Sequence, residues 1–305
     1  MKEIVLKTNG LTKKYKKFTA LENADMTVYR GEIYGLIGRN GAGKTTLMKV
    51  VTGLTEKTSG EFEIFGKTGS AAERERKRIG CLIENPAFFG NLTAYRNLRY
   101  YCMQKGITDL SQIDEVLKML NLTDARDRKF KQFSLGMKQR LGIAFSLLDN
   151  PDLIILDEPI NGLDPIAISE LRETFHKLNT EHGVTIMISS HILSELYAVA
   201  DRFLFIDKGH VLKEMTKEEI DLECMRCIVV KTSDTKAAAT VLEEKLSITD
   251  YKVIDSSEIR VYERSAAVDI INRELIRADV SVSGISEAGI SLEDYFKQLV
   301  GEESK

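Results

Sequence analysis

Short apolar runs and helical stretches alternate through the first two-thirds of the chain. Residues 3–28 carry short strand-like runs around a basic K-K-Y-K-K. The run E-I-Y-G-L-I-G at 32–38 is apolar and ends on glycine. It leads into G-R-N-G-A-G-K-T-T at 38–46, and L-M-K-V-V-T-G-L behind it has helical spacing. E-F-E-I-F-G at 61–66 alternates in the manner of a strand. C-L-I-E-N-P-A-F-F at 81–89 reads as a strand ending on Glu84, a turn at Asn85-Pro86 and two aromatics, Phe88 and Phe89. Residues 91–149 keep a helical period, broken at Gly106 and around 129–133. P-D-L-I-I-L-D-E-P at 151–159 is a buried strand between prolines, 166–178 a helix, and G-V-T-I-M-I-S-S-H at 183–191 another buried strand. A helix at 194–201 and a strand with a turn at 202–209 follow. Buried strands alternating with helices predict a parallel α/β sheet.

The rhythm changes near residue 215. R-C-I-V-V-K-T is a strand and D-T-K-A-A-A-T-V-L-E-E-K-L a helix. Y-K-V-I-D and E-I-R-V-Y are strands around D-S-S, A-A-V-D-I-I-N-R-E-L-I-R is a helix, and V-S-V-S-G-I a strand. That βαββαβ order predicts a small ferredoxin-like α+β domain over 216–305, after a first domain over 1–215. A last helix, L-E-D-Y-F-K-Q-L-V, follows.

Charge supports the division. Residues 216–305 hold 12 basic and 19 acidic residues, a net −7, against −3 for all 305 residues. The first part is therefore net positive by 4, and the whole gives no general affinity for nucleic acid. The four cysteines, Cys81, Cys102, Cys224 and Cys227, lack zinc spacing and read as reduced thiols. The start M-K-E-I-V-L-K-T-N is too polar for a signal peptide, and no run approaches the length of a spanning helix. The expectation is an intracellular chain whose membrane connection comes through a partner.

The chemistry concentrates in two places. Gly38-Arg39-Asn40-Gly41-Ala42-Gly43-Lys44-Thr45 fits G-x4-G-K-[ST], and Thr46 follows. Glycines let backbone N–H groups curl around phosphate oxygens, and the helix behind adds its positive end. Lys44 supplies a charge to the β- and γ-phosphates, and Thr45 a hydroxyl to Mg²⁺. In L-I-I-L-D-E-P, Asp157 and Glu158 emerge at the tip of a buried strand, where open α/β sheets bind ligands. Asp157 would hold Mg²⁺, and Glu158 would polarise the attacking water as general base.

With these residues in order, the sequence resembles the ATP-binding cassette (ABC) ATPases over residues 1 to about 215. F-S-L-G-M-K-Q-R-L at 133–141 is similar to the family signature, usually L-S-G-G-Q followed by a basic residue, Gln and Arg. N-G-L-D at 161–164 is similar to the D-loop, and His191 stands at the switch histidine. The resemblance implies the P-loop NTPase fold of ABC type with a helical subdomain inserted at about 85–150. It implies ATP and Mg²⁺ as ligands and ATP hydrolysis as the activity. Tyr15 would stack on adenine. Ser134 and Gly136, at a helix start, would bind the γ-phosphate held by an opposing cassette, and Asp164 would belong to that composite site. One set of motifs requires a second cassette, a copy or a related subunit.

Four positions depart from the family pattern. Leu135 and Met137 replace the usual Gly and Gln of the signature, Ile160 stands where Thr is common, and Glu84 replaces a Gln that links metal and water to the membrane subunit. A carboxylate at 84 could ligate Mg²⁺ and brings extra negative charge beside the γ-phosphate. In detail the chain is similar to the bacitracin-resistance and lantibiotic-immunity exporters. That implies a transmembrane permease docked near Glu84–Phe89, a place on the inner face of the cell membrane, and a peptide-antibiotic or drug cargo. The alternatives are a regulatory ATP-binding module with little turnover and a soluble cassette protein acting on ribosomes.

Overall fold

The first two strands are longer than their sequence pattern suggests. β1 (Ile4–Tyr15) and β2 (Phe18–Tyr29) are twelve residues each and pair antiparallel. Their register shifts at four places, between Ile4 and Leu6 and again up to Lys14. Each bulge turns the following side chains to the other face, so strict alternation is lost and only short runs remain legible.

In the computed structural model, which describes residues 2–84, 87–224, 227–263, 267–289 and 292–302, the chain divides into two compact units. These are Met1–Lys217 and Glu218–Lys305. The turn expected at Asn85-Pro86 lies outside the described residues.

In the first unit β1 and β2 are followed by β3 (Ile33–Ile37), α1 (Lys44–Thr52), β4 (Ser59–Ile64), β5 (Lys67–Thr68), α2 (Gly69–Glu75) and β6 (Ile79–Leu82). Then come α3 (Ala94–Lys105), α4 (Ser111–Met119) and α5 (Leu135–Leu147), followed by β7 (Leu153–Leu156), α6 (Pro165–Thr180), β8 (Thr185–Ser190), α7 (Leu193–Tyr197), β9 (Arg202–Asp207) and β10 (His210–Thr216).

The sheet order is β5-β4-β1-β2-β10-β9-β3-β8-β7-β6. It is mixed, not wholly parallel as the alternation predicts. The strands β9, β3, β8, β7 and β6 are joined through longer connections and run parallel. The strands joined by tight turns, β1–β2, β4–β5 and β9–β10, must run antiparallel. β10 joins β2 by a single parallel pair, His210 with Glu22. β10 has no counterpart in the sequence pattern, which ends at the turn near residue 209, because its residues are almost all half-buried and show no apolar face.

The core strands are buried on both sides: every residue of β3, β7 and β8 is buried. Parallel register sets their C-terminal ends along one edge, with Ile37 beside Ser190 and Phe205, and Leu156 beside Leu82 and Ile188. The phosphate loop, Glu84, Asp157, Glu158 and His191 all leave the sheet at that edge.

Below the opposite edge, Asp152 accepts hydrogen bonds from Arg30 (2.8 Å) and Arg78 (2.7 Å), and Arg30 also pairs with Glu3. Two guanidinium groups hold the Asp152 carboxyl below its ordinary value. The cluster joins the end of β2, the approach to β6 and the start of β7.

The insertion between β6 and β7 is helical, as its period predicts. Phe88 lies among Tyr101, Phe130 and Phe145, at 5.0 to 6.4 Å between ring centroids. Phe89 is 46% exposed and meets Tyr100 edge-on. The two phenylalanines therefore separate: one packs under the helices, and one stays at the surface.

In the second unit α8 (Lys217–Glu223) leads to β11 (Cys227–Thr232), α9 (Thr235–Leu246), β12 (Tyr251–Val253), β13 (Glu258–Val261), α10 (Val268–Arg277), β14 (Val282–Ala288) and α11 (Leu292–Glu302). The strands form a second sheet in the order β12-β13-β11-β14, with every neighbour antiparallel. Ile228, Val230, Ile259 and Val261 pack with Leu242 of α9 and with Ile271 and Leu275 of α10. All four cysteines are free, and burial raises each thiol above its usual value. Among the described residues no helix is long and apolar enough to cross a membrane.

Candidate nucleotide site

The residues after β3 form a cradle. Gly43 has φ +111°, a conformation open to glycine, and a Cβ there would lie 2.8 Å from the Ala20 carbonyl oxygen. α1 begins directly behind it with no side-chain cap and no acid in its first turn. Its first amides are therefore available to an anion, and its dipole favours one. A cavity of about 280 Å³ is lined by Arg39, Asn40, Gly41, Ala42, Gly43, Lys44, Thr45, Thr46 and Glu158, with Phe18 and Ala20 on the β1–β2 side.

The strand tips converge on this cradle. Lys44 is 5% exposed. Its Nζ donates to the Gly38 carbonyl at 2.6 Å and lies 3.1 Å from Glu158 Oε1. Thr45 Oγ1 donates to Asp157 Oδ2 at 2.7 Å. Ser189 Oγ donates to Asp157 Oδ1 at 2.6 Å and accepts from the Glu158 N–H at 2.9 Å. The other Glu158 oxygen lies 2.8 Å from His191 Nδ1. Glu158 sits at φ +49°, which costs a non-glycine residue about 1 kcal/mol. That turn carries its carboxylate back between Lys44 and His191.

The donor set suits a magnesium nucleotide. Lys44 is tucked into the loop that phosphates would fill. Thr45 and Asp157 offer a hydroxyl and a carboxylate, hard oxygen ligands of the kind Mg²⁺ takes. Glu158 Oε1 is buried and, beyond its ion pair with Lys44, accepts no hydrogen bond among the described residues, so it is an acceptor left open inside the site. When bound, Mg²⁺ supplies positive charge against the phosphate oxygens, to which Lys44 and the α1 amides would add theirs.

Other sequence candidates lie outside this cluster. Glu84, at φ +63°, pairs with Lys49 of α1 at 2.6 Å, and its side chain is 66% exposed. The carboxylate raises the Lys49 ammonium above its usual value. Tyr15 is 45% exposed at the end of β1, with Lys13 Nζ 4.7 Å above its ring. Ser134 caps α5, accepting from the Met137 N–H at 3.3 Å, with Gly136 in the first turn. Asp164 caps α6, accepting from the Ala167 N–H at 2.9 Å.

Three residues escaped the sequence reading. Ser189 orients both acids, and the only trace of it is a pair of serines in an otherwise apolar strand before His191. Phe18 lines the cavity across the hairpin from Tyr15, its partner in register. Lys49 holds Glu84 from one helical turn beyond Thr45.

A phosphate-binding loop between β3 and α1, acids at the neighbouring strand tip and an inserted helical segment define a P-loop nucleoside triphosphatase. The ABC transporter family matches residues 21–161. The bacitracin transport ATP-binding protein BcrA of Enterococcus faecalis is 41% identical over 300 residues, covering 98% of this chain and 97% of that protein. The lantibiotic transport ATP-binding protein SrtF of Streptococcus pyogenes is 49% identical over 210 residues, 69% of this chain and 90% of that protein. The ATP-binding cassette MJ0796, solved as a dimer in a post-hydrolysis state bound to ADP and Pi, superposes with a TM-score of 0.62. It is 26% identical and covers 70% of this chain and 99% of that one. The chain belongs to the ABC transporter ATP-binding family: it binds ATP with Mg²⁺ and is an ATPase.

Proposed function

We propose that this chain powers a membrane exporter of peptide antibiotics or drugs by ATP-driven pairing of two cassettes. The observation that carries the reading is the single cluster of Lys44, Thr45, Asp157, Glu158, Ser189 and His191, set on a chain similar over nearly its full length to a bacitracin transport protein. Within it Thr45 and Asp157 hold Mg²⁺. Glu158 is the general base, with His191 fixing its orientation and the γ-phosphate beyond. Glu84 approaches the metal when it leaves Lys49. Tyr15, joined by Phe18, stacks on adenine.

Residues 1–215 form the ATPase domain and 216–305 an accessory domain. The strand order β12-β13-β11-β14, with α9 and α10 as crossovers, supports reading that domain as ferredoxin-like. The second cassette is a copy or a related subunit. It supplies Ser134, Gly136 and Asp164 to the site across the interface, where the α5 amides not taken by the Ser134 cap would meet an anion. A permease docks near Glu84–Phe89, where Phe89, Tyr100 and Met103 are exposed, and holds the chain on the inner face of the membrane.

The experiment is size-exclusion chromatography with light scattering on Glu158→Gln. Removing the base blocks hydrolysis, so ATP holds the pair together. A dimer with ATP and a monomer with ADP is the expected result; a monomer under both removes the pairing.

A further inference from the structure

The start of α5 rests on the loop that opens α6. Leu135, the first residue of α5, stands where the signature usually has glycine. A Cβ built on Gly162 would lie 3.2 Å from Leu135 Cδ2. Gly162 is at φ +75° and stays without a side chain, so Leu135 meets bare backbone. One residue on, a Cβ at Gly136 would lie 3.7 Å from Ala167 Cβ and 3.8 Å from Leu163 Cδ2. One turn further, Arg140 pairs with Glu170. The signature helix and the D-loop helix of the same chain are therefore joined along one seam, from Leu135 to Arg140.

Leu135 is 49% exposed. A half-exposed leucine at the first position of a helix gains little for the fold by itself. Its Cδ2 lies against Gly162 of the D-loop. With the family's usual glycine in place of Leu135, this contact with Gly162 would be absent.

We propose that Leu135 is a positioning residue that couples the signature helix to the 161–164 loop of its own chain, so that both reach the opposing cassette together. The inference rests on the pairing of cassettes. In that arrangement the signature binds the partner's γ-phosphate while the D-loop borders the same interface. Fixing one to the other removes the freedom of the loop before the cassettes meet, so less ordering remains at closure.

The test uses Leu135→Ala and Leu135→Met in the Glu158→Gln chain, with two readouts. The first is the ATP concentration at half-maximal dimerisation. The alanine variant is expected to raise it about fivefold or more, and methionine, of similar volume and reach, to restore it. The second is amide hydrogen exchange at residues 161–163 in the nucleotide-free chain, expected to speed up several-fold in the alanine variant alone. Nucleotide affinity of the isolated cassette and the melting temperature are expected to stay near the parent's, because Leu135 lies outside the phosphate cradle. An alanine variant that dimerises at the parent's ATP concentration overturns the inference, and so does one whose 161–163 amides exchange at the parent's rate. A parent that remains monomeric with ATP overturns the pairing and this inference with it; a parent that dimerises separates the two.

Discussion

Lys44 and Glu158 face each other at 3.1 Å across a site made for a tetra-anion. Lys44 is a buried cation held by a carbonyl and a carboxylate, and in the proposed site phosphate oxygens would replace those partners. Lys44→Ala is expected to weaken ATP binding by about 100-fold, measured by titration with a fluorescent nucleotide. Tight binding by that variant would remove the loop from the site. His191 touches Glu158 and lies outside the cradle, so His191→Ala acts on turnover. Its kcat is expected to fall by about 100-fold with ATP affinity within a few-fold, in steady-state assays beside binding titrations. The reverse split would take His191 out of the reaction. Glu84→Gln loses an exposed pair with Lys49, which is worth less than about 0.5 kcal/mol, so chemical denaturation is expected to show an unchanged fold. Any effect of that variant belongs to ATPase activity and its coupling to transport. At this scale Lys44, Thr45, Asp157, Glu158 and His191 are legible because each sits at a fixed offset from a strand end. Ser189 and Phe18 are not, because only register across the sheet and the hairpin brings them to the site.

The elements explain what the sequence pattern hides. The fully buried β3, β7 and β8 announce a parallel core, and their shared edge gathers the site. β1 and β2 do not announce themselves as long strands, since bulges break their alternation. β10 has no apolar face to read. Asp152 ties the end of β2 to the approach to β6 through Arg30 and Arg78. Its carboxyl titrates below its ordinary value of 3.8. The stability it adds is therefore complete above that value and is lost as pH falls through the lowered folded value. Asp152→Asn is expected to cost about 1–2 kcal/mol at pH 7, reduced from a buried network's worth by partial exposure. Urea unfolding at pH 7 and pH 3 checks this: the gap between variant and parent narrows at the lower pH. A gap that widens on acidification would contradict the assignment.

The chain divides into the compact units Met1–Lys217 and Glu218–Lys305, and the sequence pattern changes its rhythm near residue 215. The proposed pairing and docking would use two surfaces that the single chain leaves exposed. Leu135 is half-exposed at the start of α5, and Phe89, Tyr100 and Met103 leave apolar area open in the helical segment that follows Glu84. Sequence shows the residues of both surfaces, but Phe88 and Phe89 look alike there; packing against Tyr101, Phe130 and Phe145 separates them. The most direct measurement is affinity purification of the tagged chain from gently solubilised membranes, followed by identification of what comes with it. Recovery of a polytopic membrane subunit, lost when Phe89 and Tyr100 are replaced by serine, is the predicted result. Recovery of ribosomes, or of the cassette alone from membranes that contain it, would contradict the account.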